Sequence, residues 1–150
     1  MKIYTIGFSK KSAEVFFDLL IENKVDLLLD IRLNNKSQLA GFTKGKDLPY
    51  FLEKICNANY IHEEDFAPSK ELLSNYKKNI IDWDEYVYTY RTLLISRKAE
   101  TVFYTKYKDK YKSICLLCSE LTADNCHRRL LAEYLIQYAE ITGVNEIVHL

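Results

Sequence analysis

The chain has little of what marks a disordered chain, a membrane protein or a general nucleic-acid binder. It holds only two prolines and four glycines among its 150 residues, a composition that argues against disorder and linkers. Its 21 basic and 21 acidic residues cancel. No global field therefore attracts nucleic acid or an anionic membrane, although a local basic cleft stays open. No apolar run approaches the ~18 residues of a membrane span, so no membrane partner is expected.

No secretory signal is expected either, because Met1 and Lys2 lead directly into a strand-like pattern. We therefore expect a cytoplasmic protein. In that compartment the four cysteines are thiols, metal ligands or catalytic groups rather than disulfides. What the chain has in abundance is aromatic residues, with twelve tyrosines, seven phenylalanines and one tryptophan. The interpretation of these as the edge of the core is favoured over a base-stacking surface.

Hydrophobic patterns along the chain predict strands that alternate with helices. Strands are expected at 2–6, 27–31, 60–62, 113–118 and 145–149, and helices from Ser12, Asp47, Ser69, Asp82, Ala99 and Cys126. This order predicts an α/β fold, as one three-layer domain over residues 1–150 with a mainly parallel sheet of about five strands and helices on both faces. The polar stretch at 33–46 is long for a connection, which makes it a candidate lid or binding loop.

Parallel pairing brings the carboxyl ends of all strands to one edge of the sheet, where α/β folds bind their ligands. We expect one crevice there, formed by the residues at or just after the strand ends: Gly7, Ser9, Asp30, Arg32, His62, Cys118 and Glu120. This expectation depends on the strands being parallel.

The segment at 115–129, CLLCSELTADNCHRR, is the richest in chemistry. Cys118 ends a strand, whereas Cys115 is expected to point to the opposite side and to belong to the core. If Cys126 falls in the first turn of a helix, the helix dipole and the neighbouring His127, Arg128 and Arg129 are expected to stabilise its thiolate.

Several interpretations of this segment stay open. Cys118 and Cys126 can be a nucleophile and its resolving thiol, or two metal ligands with His127 or His62. Zinc is less favoured, because neighbours such as Cys126 and His127 seldom share an ion and structural sites use paired short spacings; no metal ligand is assigned. In a purely structural interpretation, Cys126 and His127 cap the helix while Glu120 pairs with Arg128.

An anion site asks for the least special geometry, because helix N-terminal amides with Arg32, Arg128 and His127 suit a phosphate or another oxyanion. Arg32 and Arg128 would hold the anion, and Asp30 and Glu120 would orient them or exchange protons. A pair of Asp30 and Arg32 that only ties loops together is an equal alternative. Cys118 would act as nucleophile and Cys126 as its partner, with His127 or His62 as the acid or base.

With these residues described, the chain resembles the DUF488 family, a family of unknown function. The matching motifs are YTIGFS, LLDIR, GFTK, YIHEEDFAPSKEL, WDEYVYTY and CLLCSE…CHRRLLAEYL. The resemblance implies a fold and motif residues but no reaction and no cofactor. Family members usually read I-G-H-S near the start, and this chain carries Phe8 at the histidine position. If that histidine carries a proton in the family, this protein either is impaired or relies on His62 or His127.

A weaker likeness is to rhodanese domains, which also have a strand-end D-x-R and a cysteine after a later strand. Rhodanese-like enzymes carry an arginine about five residues after the cysteine, whereas 121–125 contains none and Arg128 follows Cys118 by ten. The leading hypothesis is a site for an anionic or nucleotide-like ligand, with cysteine-assisted catalysis. The alternatives are a non-catalytic nucleotide or nucleic-acid binding module, and a sulfur-transfer or metal-binding protein.

Overall fold

The computed structural model of the chain describes residues 1–37 and 40–150. Five strands occur in the described part: β1 Lys2–Gly7, β2 Leu27–Asp30, β3 Asn59–His62, β4 Ile114–Cys118 and β5 Glu146–His149. They form one sheet in the order β3-β2-β4-β1-β5, and every pairing is parallel. The predicted α/β fold with its parallel sheet is confirmed. β4 lies at the centre, between β2 and β1.

Helices connect the strands, and the predicted caps explain where three of them begin. Ser12, Ser69 and Asp82 each accept a hydrogen bond from a backbone N–H in the first turn of the helix that follows. The helices are α1 Ala13–Glu22, α2 Leu48–Phe51, α3 Lys70–Lys77, α4 Trp83–Ser96, α5 Ala99–Phe103, α6 His127–Gln137 and α7 Ala139–Thr142. α2 and α5 continue through π-helical turns at Leu52–Cys56 and Tyr104–Lys108.

Alternate residues of β4 pack on opposite faces of the sheet, which gives the three layers. Cys115 and Leu117 belong to a buried cluster with residues of α1 and α2. Ile114 and Leu116 belong to a second cluster with residues of α4, α5 and α6. Cys115 is therefore a core residue, as its spacing from Cys118 predicts. The face of the sheet on which a strand residue lies therefore decides which group of helices it contacts.

The connection after β2 is the loop predicted as a lid, and its residues 38 and 39 lie outside the described part of the chain. Its base is closed by a hydrogen bond of 2.7 Å from the Gly45 N–H to the Asn35 carbonyl. Its role as a lid stays a prediction. Among the helices of the described residues, none combines the length and the apolar character that a membrane crossing requires.

Candidate active site

A cavity of about 220 Å³ lies at the carboxyl end of β4, the central strand. Cys118, Cys126 and His127, all buried, form part of its lining. Three aromatic residues of α3 and α4, Tyr76, Trp83 and Tyr86, contribute an aromatic lining, and the Trp83 and Tyr86 rings stack with centroids 5.1 Å apart. The other lining residues are Arg32, Leu33, Asn34, Leu73, Lys77, Ser119, Glu120 and Asn125.

His127 is held in one tautomer by the backbone. Its Nε2 atom lies 2.9 Å from the carbonyl oxygen of Ile31, just after β2. A carbonyl oxygen only accepts hydrogen bonds, so Nε2 carries the hydrogen and donates it. Nδ1 is then the ring nitrogen without a hydrogen, and it lies 3.5 Å from Cys118 Sγ, while Nε2 lies 3.8 Å from the same sulfur. The sulfur therefore lies beside the ring, and a small turn of the two side chains would align the thiol of Cys118 to pass its proton to His127, which a third group orients.

The electrostatics of the site single out Cys118 as the reactive thiol. Burial is the largest influence and raises its pKa. A hydrogen bond from the Cys126 thiol, the backbone N–H groups of Ser119 and Glu120 and the charge of Arg128 together outweigh burial and lower the pKa of Cys118. A thiolate at the end of β4 is therefore stabilised by donors on several sides.

Cys126 behaves in the opposite way. Its hydrogen bond to Cys118 is the largest influence on its pKa and raises it, and burial raises it further. The charges of His127 and Arg128 lower the pKa of Cys126, as the sequence predicts, but the interaction with Cys118 and burial outweigh them. Cys118 is therefore the member of the pair whose pKa is lowered.

The same three side chains are also close enough to share a metal ion. The ligand atoms of Cys118, Cys126 and His127 all lie within 4.8 Å of one another. Although Cys126 and His127 are adjacent in sequence, their ligand atoms approach one another closely enough for this. Cys126 has an extended backbone, with φ −136° and ψ 137°, and His127 begins α6, so the backbone changes direction between them.

Asp30 and Arg32 form a buried ion pair. The Arg32 Nε and Nη2 atoms donate to the two Asp30 carboxylate oxygens at 2.8 and 2.7 Å, and Nη2 also donates to the Thr43 carbonyl at 2.6 Å. The guanidinium lies over the ring of Phe8. These contacts agree with the alternative in which Asp30 and Arg32 pair with each other and hold the loop in place. An anion-holding role for Arg32 stays a prediction, and a ligand would compete with Asp30 for it.

His62 supports the same loop. Its Nε2 atom lies 2.6 Å from the carbonyl oxygen of Arg32, and its Nδ1 atom lies 3.9 Å from the Glu64 carboxylate. His62 is not in the group of ligand atoms around Cys118. His127 is therefore the histidine that can exchange a proton with Cys118 in this arrangement.

The residues predicted to share one crevice do not all lie together, because side chains alternate between the two faces of the sheet. Asp30 and His62 share the face of Leu28 and Tyr60, whose cluster contains α1 and α2, whereas Cys118 shares the face of Leu116 and of α4 and α6. Within the described chain, the lining of the cavity includes Arg32, Cys118 and Glu120 and leaves out Gly7, Ser9, Asp30 and His62. The strand ends share one edge, but the side chains divide between two faces.

Arg128 is buried and holds the loop after β4. Its Nη1 atom donates to the Glu120 carbonyl at 2.5 Å and to Cys126 Sγ at 3.7 Å, and Nη2 donates to the Leu121 carbonyl at 3.3 Å. Glu120 itself is exposed and lines the cavity. The predicted contact between Glu120 and Arg128 is therefore made by the backbone of Glu120 rather than by its carboxylate. Arg128 positions the backbone that surrounds Cys118.

Gly7 and Ser9 contact this loop through the backbone. The Ser9 N–H donates to the Ser119 carbonyl at 3.0 Å, while the residue lines a separate cavity next to Phe8. A Cβ atom on Gly7 would lie 1.5 Å from the Glu120 carbonyl oxygen and 2.7 Å from Arg128 Nη1. Glycine at this position thus permits the close approach of the loop that carries Cys118 and Glu120.

We expect the substitution Gly7→Ala to destabilise the protein by about 1–3 kcal/mol, the range for overpacking a close contact. The methyl group must displace the Glu120 carbonyl, so the loop after Cys118 has to shift. Urea denaturation followed by circular dichroism measures the effect. Gly41→Ala is the matched control, since no described atom lies within 4 Å of a Cβ there. Equal stability of Gly7→Ala and the wild type would contradict the tight contact.

The aromatic part of the site was missed by reasoning from the sequence. Trp83, Tyr86 and Tyr90 recur at helical spacing within WDEYVYTY, which was noted only as a family motif. The Tyr90 ring packs edge-to-face on His127, with centroids 5.7 Å apart. The spacing is a usable signal that these rings share a helix face, but it does not tell which strand end they meet.

Fold and site together define a parallel α/β protein with a cysteine–histidine pair at the end of its central strand. A family model described as "Domain of unknown function DUF488" matches residues 12–135. The chain belongs to this family, as its motifs indicate. No curated protein and no solved structure matches the chain. The family description assigns no reaction.

Proposed function

We propose that this protein is an enzyme that uses Cys118 as its nucleophile and His127 as the base, acting on a small ligand in the cavity of about 220 Å³. One observation carries the proposal. His127 Nδ1 lies 3.5 Å from Cys118 Sγ, while Nε2 is fixed on the Ile31 carbonyl at 2.9 Å. Cys118 as nucleophile, His127 as base and the Ile31 carbonyl as the group that orients the base therefore stand in the relation that thiol catalysis needs.

The second thiol supports the first. Cys126 donates a hydrogen bond to Cys118 and so favours the thiolate. It is also near enough to serve as a resolving thiol, since the ligand atoms of the group lie within 4.8 Å of one another. A lowered thiol pKa beside a cavity is typical of reactive cysteines, whereas buried structural cysteines are inert.

The lining of the cavity favours a flat, anionic ligand. Tyr76, Trp83 and Tyr86 supply aromatic surface on which a ring can stack. Lys77 and Arg32 supply positive charges against the one carboxylate, that of Glu120, among the described lining residues, and the N-terminal end of α6 adjoins the cavity at His127. The volume equals that of about seven water molecules, which suits a ring of nucleobase size. A nucleotide-like anion is therefore the ligand class we propose.

Alkylation of the metal-free protein at pH 7 tests the proposal. With iodoacetamide as the probe, we expect Cys118 to be labelled far faster than Cys56, because burial raises the pKa of Cys56 to about 11. Peptide mass spectrometry resolves the two sites. The variant Cys56→Ser should leave the labelling of Cys118 unchanged. Cys118 labelling no faster than that of Cys56 would overturn the catalytic proposal and favour a binding module.

The ligand class is tested in the same assay. Nucleoside 5′-monophosphates are expected to slow the alkylation of Cys118, and inorganic phosphate at equal concentration is expected to do so less, because it lacks a ring for Tyr76, Trp83 and Tyr86. Protection by phosphate alone to the same extent would contradict a stacking site. Absence of protection by every nucleotide would overturn the proposed ligand class and leave the nucleophile untouched.

A further inference from the structure

We infer that Cys118, Cys126 and His127 form a binding site for one thiophilic divalent cation, with Zn²⁺ the best fit and a fourth coordination position open to the cavity. The site shares residues with the proposed function and does not rest on it. The argument comes from the positions of the three ligand atoms, from the hydrogen bond behind the histidine and from the chemistry of the donors.

The distances already approach those of a tetrahedral zinc site. Bonds of about 2.3 Å to sulfur and about 2.0–2.1 Å to nitrogen place tetrahedral S and N ligands about 3.5 Å apart. Cys118 Sγ and His127 Nδ1 lie 3.5 Å apart, and the ligand atoms of all three residues lie within 4.8 Å of one another. Because Cys118 Sγ also lies 3.8 Å from Nε2, the thiol has to turn toward the Nδ1 lone pair before one ion can contact all three residues.

The histidine is prepared for a metal as well as for a proton. Metal-bound histidines usually donate the N–H of their other ring nitrogen to a carbonyl or carboxylate, which fixes the tautomer. His127 does this with the Ile31 carbonyl at 2.9 Å, which leaves Nδ1 without a hydrogen and able to bind a metal ion. His62 also contacts a carbonyl, that of Arg32, but its ring is not part of the group formed with the two thiols.

The donor set selects the kind of ion. Two thiolates and one imidazole suit Zn²⁺, whereas Mg²⁺ and Ca²⁺ prefer oxygen ligands. All three residues line the cavity, so the fourth position faces the space where a small molecule or water can enter. Three protein ligands with one open position are typical of catalytic rather than structural zinc.

A bound ion would also suppress the nucleophile. Zinc takes the lone pair of Cys118 that would otherwise attack a ligand, so the metal-bound and the thiolate forms exclude each other. The protein would then have two states at one site. In one state the cavity holds a free thiolate, and in the other it holds a metal ion with an open coordination position.

Direct metal titration tests the site. The metal-free chain, titrated with Zn²⁺ against a chromophoric chelator, is expected to bind one ion. Loss of one ligand in Cys118→Ser, Cys126→Ser or His127→Gln is expected to weaken binding by at least about 100-fold, the upper range for loss of an outer-shell partner. Cys56→Ser is the matched control and should bind as the wild type does. Binding that survives the first set, or fails in the control, overturns the site.

A second measurement uses the wild type alone, so it does not depend on how the variants fold. Co²⁺ is expected to give the visible and near-ultraviolet bands of a tetrahedral thiolate complex, and Zn²⁺ is expected to protect Cys118 and Cys126, but not Cys56, from iodoacetamide. Equal labelling with and without Zn²⁺ overturns the metal site. Protection by Zn²⁺ together with slow labelling of metal-free Cys118 supports the metal site and overturns the proposed nucleophile, so the two failures are distinct.

Discussion

Replacing Cys126 with alanine is expected to slow the alkylation of Cys118 at pH 7. The Cys126 side chain lowers the pKa of Cys118, and its loss lets that pKa rise. Each unit by which the pKa rises further above the working pH lowers the thiolate fraction, and with it the labelling rate, by about tenfold. The measurement is the rate of iodoacetamide labelling of the metal-free protein across pH.

The sign of the pH dependence separates this effect from a change in access to the cavity. Because the thiolate is the reactive form, the difference between Cys126→Ala and the wild type should be largest near neutral pH and shrink as the pH rises and the variant thiol also ionises. Cys126→Ser retains a hydroxyl donor and is expected to recover most of the rate. A difference that stays constant across pH would mean that alanine alters access, and the donor role of Cys126 would be withdrawn.

Asp30→Ala is expected to destabilise the protein by about 3–5 kcal/mol, the cost of breaking a buried ion pair from one side. Asp30 is fully buried and Arg32 is 3% exposed, so the substitution leaves a guanidinium without its carboxylate in the interior. The Tyr60 hydroxyl, which donates to Asp30 at 2.6 Å, loses its acceptor too. Urea denaturation at pH 7 measures the change.

The matched control for Asp30 is an exposed ion pair. Lys2 and Glu146 approach to 2.8 Å on the surface, and Glu146→Ala should leave the stability close to that of the wild type. If Asp30→Ala were as mild as Glu146→Ala, the pair would not hold the loop after β2. Arg32 would then be available for the anion-binding role that its sequence position suggests.

The fold follows closely from the sequence because its signals are local. Ser12, Ser69 and Asp82 cap helices where short polar side chains precede apolar periodicity. The apolar run before Cys118 becomes the central strand. The π-helical turns that extend α2 and α5 carry no comparable signal, and Asp47 stands before α2 without a side-chain cap bond within the described chain.

The site follows only in part, because it depends on which side of the sheet each residue faces. Alternation correctly separates Cys115 from Cys118, and the same rule applied to Asp30 and His62 would have placed them on the other face. The bond between Arg128 and the Glu120 carbonyl and the direction of the bond between the two thiols depend on the folded loop. No spacing in the sequence contains them.

The aromatic lining has one practical consequence. The chain contains a single tryptophan, and Trp83 lines the cavity, stacked on Tyr86 and half-buried. All indole fluorescence of the protein therefore originates beside Cys118. A flat molecule that enters the cavity should quench this emission, so candidate ligands can be ranked by titration of the unlabelled, unmodified protein.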